Sequence, residues 1–262
     1  MDDVWDDYYI DRRREQLQNS CWRGNVDIVD KLIKEQKIDP SDCHNEAICI
    51  ASLYGHLSVV ERLLEDPRVD PSARNNQVIR FVSAGGFLAI VERLLKDPRV
   101  NPSADNNYAI RYASTYGYLS VVERLLQDPR VDPSDYRNDA IRYTSSNGYL
   151  SVVERLLMDE RVDPTDIENE AICSASENGH FSVVNRLLLD LRIDPMKLKV
   201  THIFTNIKMI LSRTTDICLA LQSLDLPALI TLEIINALFH NNIAMHKKWL
   251  LITTIKHFHD HK

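Results

Sequence analysis

The sequence predicts an all-α solenoid of six stacked helix-turn-helix repeats, and three periodic features carry this prediction. A Val-Val or Ile-Val pair recurs every 31 residues, and a glycine and a proline recur with the same spacing. Six of the seven glycines keep this period, so the period and not the local composition organises the chain. A fixed period of roughly 20–50 residues is typical of solenoids and repeat arrays.

Each repeat is predicted to contain two short helices, as residues 103–133 illustrate. Ile110 and Ala113 are three residues apart and so share one face of a first helix. Gly117 is expected to end that helix, because glycine adopts a left-handed backbone most easily. The second helix then presents an apolar stripe formed by Leu119, Val122, Leu125 and Leu126.

The ends of the second helix can also be predicted. Ser120 and Glu123 have the spacing of a capping box. The residue before a proline rarely stays helical, so this helix should stop near Asp128. Arg124 and Asp128 are four residues apart and should form an ion pair on the solvent face. Val131 is the single apolar residue of the following linker and is expected to anchor it.

These boundaries divide the chain into an acidic N-terminal tail, a repeat region and a C-terminal segment. The tail is residues 1–9, and the C-terminal segment, 196–262, is apolar and compatible with a helical cap over the last repeat. The first repeat is degenerate, with charged residues that suit the end of a stack. The six repeats are 10–40, 41–71, 72–102, 103–133, 134–164 and 165–195.

Residues 55–64 and 179–188 resemble the ankyrin repeat, whose pattern is Gly-His-Leu-x-Val-Val-x-x-Leu-Leu. The resemblance covers about residues 10–195, although each repeat is two residues shorter than the usual ~33. The Thr-Pro-Leu-His sequence of ordinary ankyrin repeats is replaced, for example by Tyr108-Ala109-Ile110-Arg111. The resemblance implies a non-enzymatic module that binds a protein on a concave wall of first helices and turns.

Arginines and aromatic residues recur along the predicted first helices, and such residues are enriched in interface hot spots. One alternative is that the arginines pair with Asp or Asn in the turns while the aromatic rings fill the stack. Another is that an anionic ligand binds along the arginines. The candidate partner-binding residues are Tyr54, Arg80, Phe81, Tyr108, Arg111, Tyr112, Tyr116, Arg142 and Tyr143.

The segment 226–238 is similar to the opening helix of an F-box, and a tail of this kind resembles the PRANC-type tails of viral ankyrin proteins. Such tails are taken to recruit the Skp-type adaptor of cullin–RING ubiquitin ligases. The resemblance implies adaptor docking by Leu226, Pro227, Ile234, Ile235, Leu238 and Trp249. A helical cap is the simpler interpretation of the same segment.

The composition of the chain excludes several classes of function. A net charge of −7 argues against general nucleic-acid binding, and no apolar run is long enough to span a membrane. The five cysteines have no metal-binding or redox spacing, and we find no catalytic motif. We therefore expect no enzyme activity, cofactor or metal, and a cytoplasmic location, in the host cytoplasm if the source is viral. The resemblance of these shortened Asp-Pro repeats to expanded ankyrin families implies a viral or microbial source.

Three functions follow from these observations. The first is a scaffold that binds a partner protein on its repeats. The second is a ubiquitin-ligase adaptor with a docking segment at its C-terminus. The third is a structural or self-assembling component of a larger particle.

Overall fold

A computed structural model describes the backbone of residues 2–35 and 38–193, and the side chains of the same ranges from residue 12 onward. Within these ranges the only regular elements are twelve helices, which form six consecutive hairpins. In chain order they are α1 (Asp2–Trp22), α2 (Val26–Lys34), α3 (Asp42–Leu53), α4 (Leu57–Leu64), α5 (Ala73–Ala84), α6 (Leu88–Leu94), α7 (Ala104–Thr115), α8 (Leu119–Leu125), α9 (Asp135–Asn147), α10 (Leu150–Leu157), α11 (Asp166–Glu177) and α12 (Phe181–Leu187).

The helices are arranged in two layers. The first helix of each hairpin contacts the first helices on either side, and the second helices contact one another in the same way. The predicted all-α stack of hairpins is therefore confirmed. Residues 2–9 of the proposed acidic tail are helical and belong to α1, which begins at Asp2.

The core is a row of aliphatic side chains that repeats along the stack. In the fourth hairpin Ile110 and Ala113 of α7 are fully buried, as predicted, and so is Leu125 of α8. Val131 is also fully buried, which confirms its predicted role as the anchor of the linker. A single hairpin would leave such side chains exposed, so stacking supplies the burial that stabilises each one.

The second helices are shorter than predicted and present a different apolar stripe. In α8, Val121 is buried, whereas Leu119 and Leu126 at the two ends of the predicted stripe are only half-buried. α8 ends at Leu125 and not near Asp128. The reason is a tight turn in which the backbone N–H of Asp128 donates to the carbonyl of Leu125, so the helical i−4 pattern is lost.

The predicted capping box is wrong. The N-cap of α8 is Tyr118 and the helix begins at Leu119, so Ser120 already lies inside the first turn. The cap carbonyl of Tyr118 accepts the backbone N–H of Val122 at 3.0 Å. Ser120 and Glu123 therefore have the spacing of a capping box without its position.

The predicted ion pair between Arg124 and Asp128 is replaced by a fork two residues apart. Nε and Nη2 of Arg130 donate to the two carboxylate oxygens of Asp128 at 2.9 and 2.7 Å. Nη1 of Arg130 also donates to the carbonyl of Val100 in the preceding hairpin, at 2.9 Å. Because α8 ends before Asp128, that carboxylate does not share a helical face with Arg124. Equivalent forks form at Asp66–Arg68, Asp97–Arg99 and Asp159–Arg161.

The twelve helices belong to one unit of the chain, which ends at Leu187. The described residues 188–193 belong to a second unit. The proposed cap and docking segment, 196–262, lies outside the described residues.

Candidate functional site

A left-handed turn precedes the right-handed part of five first helices. In α7 it consists of Asp105, Asn106 and Asn107, whose φ angles are 59°, 53° and 55°. The first helices α3, α5, α9 and α11 contain the same three-residue turn. An L-residue in this conformation costs about 1–2 kcal/mol, because Cβ approaches the following carbonyl oxygen. Contacts elsewhere must therefore stabilise the turn.

An asparagine occupies the third position of each turn, and in four of the five turns its side chain provides such a contact. Asn107 is buried, and its side-chain oxygen accepts the backbone N–H of Asp132 at 2.9 Å. Its amide nitrogen donates to Asp135 Oδ2 at 3.0 Å. Asn45, Asn76 and Asn138 accept equivalent backbone N–H groups at 2.7 Å. The recurrence of these asparagines every 31 residues is visible in the sequence, but their long-range hydrogen bond was not predicted from it.

The predicted arginines form a ladder above these turns, and each faces an acid of the next hairpin. Arg80 Nη1 lies 2.6 Å from Asp105 Oδ2, and Arg142 Nε lies 2.7 Å from Glu170 Oε2. Arg111 occupies the equivalent place on α7. All three side chains are largely buried. The ladder therefore ties neighbouring first helices together.

Asp139 is the most enclosed acid of this ladder, with 8% of its surface exposed. Its carboxylate lies between Arg111 Nε, at 3.4 Å, and Arg142 Nη1, at 2.8 Å. Burial raises the pKa of Asp139, and the two guanidiniums oppose that rise. One carboxylate thus compensates charges from two successive helices.

Aromatic rings lie directly beside the arginines. The rings of Tyr108 and Tyr112 stack with their centroids 3.9 Å apart. The guanidinium carbon of Arg80 is 5.2 Å from the centroid of Tyr108, and that of Arg111 is 4.4 Å from the centroid of Tyr136. Cation–π contacts of this kind fix both partners. Tyr136 was not predicted, because it lies in the left-handed turn and not on the helical stripe.

Seven of the nine predicted residues lie together on the first helices, and we call them the arginine–tyrosine face. Tyr143 is 47% exposed, while Phe81, Tyr108 and Tyr112 are half-buried. The arginine–tyrosine face consists of Arg80, Phe81, Tyr108, Arg111, Tyr112, Arg142 and Tyr143.

The other two predicted residues, Tyr54 and Tyr116, lie at the C-terminal ends of their first helices, away from the left-handed turns. Each is the C-cap residue of its helix, next to the turn that leads to the second helix. They are 51% and 50% exposed. The ring of Tyr116 lies next to that of Tyr112, with centroids 6.2 Å apart.

The adaptor-docking residues Leu226, Pro227, Ile234, Ile235, Leu238 and Trp249 lie outside the described residues. Within the described ranges, no three His, Cys, Asp or Glu side chains are grouped so as to hold a metal ion. None of the helices described there is both long and apolar enough to cross a membrane.

Comparisons with known proteins bear on the fold. No protein-family model matches the chain, and no curated protein matches it. Among solved structures, it is similar to the ankyrin repeat domain of Bcl-3, described as a unique member of the IkappaB protein family. The TM-score is 0.54 at 20% identity, over 66% of this chain and 84% of that chain. The chain therefore has the fold of an ankyrin-type helical solenoid.

Proposed function

We propose that this protein is a non-enzymatic interaction scaffold that binds a partner protein on the arginine–tyrosine face. The observation that carries the proposal is the exposure of Tyr143 and Tyr136, at 47% and 57%, beside a ladder of guanidiniums. Tyrosine and arginine are the residues that interface hot spots favour. The likeness to an ankyrin repeat domain supports the same conclusion at the level of fold.

Ion pairs and ring contacts position the arginines of the face before a partner arrives. Arg111 is held by Asp139 and by the ring of Tyr136, and Arg142 is held by Asp139 and Glu170. Side chains that are already fixed lose little conformational entropy on binding, which favours affinity. Their rings can then act as anchors for the partner.

Charge contributes less to this recognition than the rings do. Each guanidinium of the ladder already faces a carboxylate of the next hairpin. An anionic ligand would have to compete with those carboxylates, so the alternative of anion binding along the arginines has less support. We therefore expect the partner to present apolar and hydrogen-bonding groups.

Site-specific photo-crosslinking tests this proposal. A benzophenone amino acid replaces Tyr143 in one variant and Met158 in the other, which is 72% exposed at the end of α10 in the second-helix layer. We expect a protein adduct in extracts of the source cells from position 143 and not from position 158. Binding of the purified partner should then weaken in a Tyr143→Ala variant. Adducts confined to position 158 would reject the arginine–tyrosine face as the binding surface.

The sequence of the C-terminal segment supports a second candidate function, that of a ubiquitin-ligase adaptor. The support is the F-box-like spacing of Leu226, Pro227, Ile234, Ile235 and Leu238. Mixing the full chain with a purified Skp-type adaptor should give a stable complex, and an Ile234→Asp variant should not form it. If the native chain forms no complex, the adaptor function is rejected.

Self-assembly into a larger particle is the third candidate, and light scattering of the purified chain distinguishes it from the other two. If light scattering shows a monomer at all accessible concentrations, self-assembly is rejected.

The odd number of cysteines supports a reducing, cytoplasmic location.

A further inference from the structure

A second surface lies along the turns that join each first helix to its second helix, at the end of the hairpins away from the left-handed turns. The four central turns, 53–60, 84–91, 115–122 and 146–153, contain no Asp, Glu, Lys or Arg, in a chain in which 26% of residues are charged. We call these four segments the turn edge. Its lack of charge sets it apart from the arginine–tyrosine face.

The turn edge is unusually apolar for an exposed surface. Of the twelve large hydrophobic side chains exposed in the described parts of the chain, six lie on it or beside its first turn. Exposed apolar side chains that cluster in this way mark interaction sites more often than singly scattered ones do. The six, 38–51% exposed, are Trp22, Leu53, Tyr54, Tyr116, Tyr118 and Tyr149.

Aromatic rings recur at equivalent positions along the turn edge. From α4 onward, each second helix is preceded by a ring that covers the glycine of the previous hairpin, so a Cβ on Gly86 would meet Tyr118 at 2.6 Å and one on Gly117 would meet Tyr149 at 2.5 Å. At the first turn the rings of Trp22 and Tyr54 touch edge to face, with centroids 6.0 Å apart. The edge therefore offers at least one ring per hairpin along the stack.

The spacing of the rings and the absence of charged residues together indicate what kind of partner binds the turn edge. Packed helices lie about 8–10 Å apart, so we expect equivalent rings of successive hairpins to repeat at about that distance. A polyproline II helix makes one turn in three residues of ~3.1 Å each, and its carbonyls remain free to accept hydrogen bonds. Tyrosine hydroxyls can donate to those carbonyls while the rings contact proline. We propose that the turn edge binds an uncharged, proline-rich segment of a partner protein in the polyproline II conformation.

A second copy of this chain fits the edge less well. It would bring together two molecules that each carry a net charge of −7, and like charges oppose that approach. A neutral peptide meets no such repulsion. The two surfaces adjoin where the rings of Tyr112 and Tyr116 lie 6.2 Å apart. The proposal nevertheless does not need a partner on the arginine–tyrosine face, so either proposal can fail without the other.

Calorimetric titration of the full chain with the uncharged peptide (Pro-Pro-Gln)5 tests the proposal. The key variant carries Tyr54→Ala and Tyr116→Ala, since neither ring covers a glycine. The matched control is Tyr143→Ala, which removes a comparably exposed tyrosine from the arginine–tyrosine face. Circular dichroism verifies that both variants stay helical.

We expect the native chain to bind the peptide, the double variant to bind at least tenfold more weakly, and Tyr143→Ala to bind within twofold of native. The proposal is overturned if the native chain does not bind, or if both variants weaken binding equally. Equal binding of the proline-free peptide (Ala-Ala-Gln)5 would also overturn it. The proposal would also be overturned if the native chain forms a dimer and the double variant does not. The turn edge would then be a contact between two copies of this chain.

Discussion

Asn107 accepts the backbone N–H of Asp132, 25 residues later, at 2.9 Å from within a left-handed turn. The same bond recurs between Asn76 and Asn101 at 2.7 Å. Each bond satisfies a backbone donor in the linker of one hairpin and fixes the turn at the start of its first helix. The ladder that carries the candidate residues is thus supported by a side chain whose hydrogen bonds go to Asp132 and Asp135.

Replacing Asn107 with glycine should lower the free energy of unfolding by about 2 kcal/mol. Glycine tolerates the left-handed backbone, so the loss reports on the missing acceptor for the N–H of Asp132. Asn106→Gly is the matched control, because Asn106 lies in the same turn but is exposed, and it should change stability by less than ~0.5 kcal/mol. Urea denaturation measures both. Equal effects would mean that the hydrogen bond is unimportant.

Ile167 is the most unfavourable residue of the left-handed turns. Its φ and ψ are 48° and 56°, in a conformation that β-branched residues strongly avoid. Ile167→Asn should raise the free energy of unfolding by about 1 kcal/mol, since asparagine tolerates this backbone. Ile167→Val keeps the branched Cβ and should give no gain. A thermal melt that shows Ile167→Asn to be less stable than the native chain would contradict this explanation.

Gly117 is required for two separable reasons. Its φ is +77°, and a Cβ added to it would lie 2.5 Å from the ring of Tyr149. Gly117→Ala should therefore cost about 2–4 kcal/mol, the sum of backbone strain and a steric clash. In a Tyr149→Ala background the same change should cost only about 1 kcal/mol. A double-mutant cycle with no coupling would show that the ring does not press on this turn.

The Asp-x-Arg forks should make stability depend on acid pH. Hydrogen bonds from the Arg130 side chain lower the pKa of Asp128, and equivalent arginines do the same for Asp66, Asp97 and Asp159. A lowered folded-state pKa stabilises the fold above the unfolded value of about 3.9, and this stabilisation is lost as pH falls through the folded-state pKa.

Asp128→Asn should accordingly be less stable than the native chain at pH 7, and the difference should shrink towards pH 3. Urea denaturation at pH 7, 5 and 3 measures it. Glu160→Gln removes one charge from an exposed position of the corresponding loop in the next hairpin and controls for net charge. A difference that stays constant across this range would show that the fork does not stabilise the fold.

The period of the sequence was sufficient to predict the hairpins, because duplicated positions keep the same environment along a stack. Gly117 and Val131 illustrate this, with the left-handed backbone and the full burial that their positions require. The partner of Asp128 could not be predicted, because α8 ends at Leu125 and a turn carries Arg130 back to the carboxylate.

The left-handed turns are harder still to predict from local sequence. Asp105 and Asn106 adopt a backbone that few residues favour, and a distant hydrogen bond from Asp132 to Asn107 stabilises the turn. The candidate residues were predicted from their recurrence along the repeats. Recurrence alone could not show that Tyr116 lies at the turn edge whereas Tyr112 lies beside the arginine ladder. Tyr136 was missed because it lies in a left-handed turn, at a position where no other hairpin has an aromatic residue.

Hydrogen–deuterium exchange of the chain with and without its crosslinked partner protein tests the central claim most directly. Binding at the arginine–tyrosine face should slow amide exchange in the left-handed turns at 105–107 and 136–138 and in α7 and α9. The second helices α8 and α10 should be unchanged. Slower exchange confined to α8 and α10, with no change at the turns or the first helices, would contradict the account.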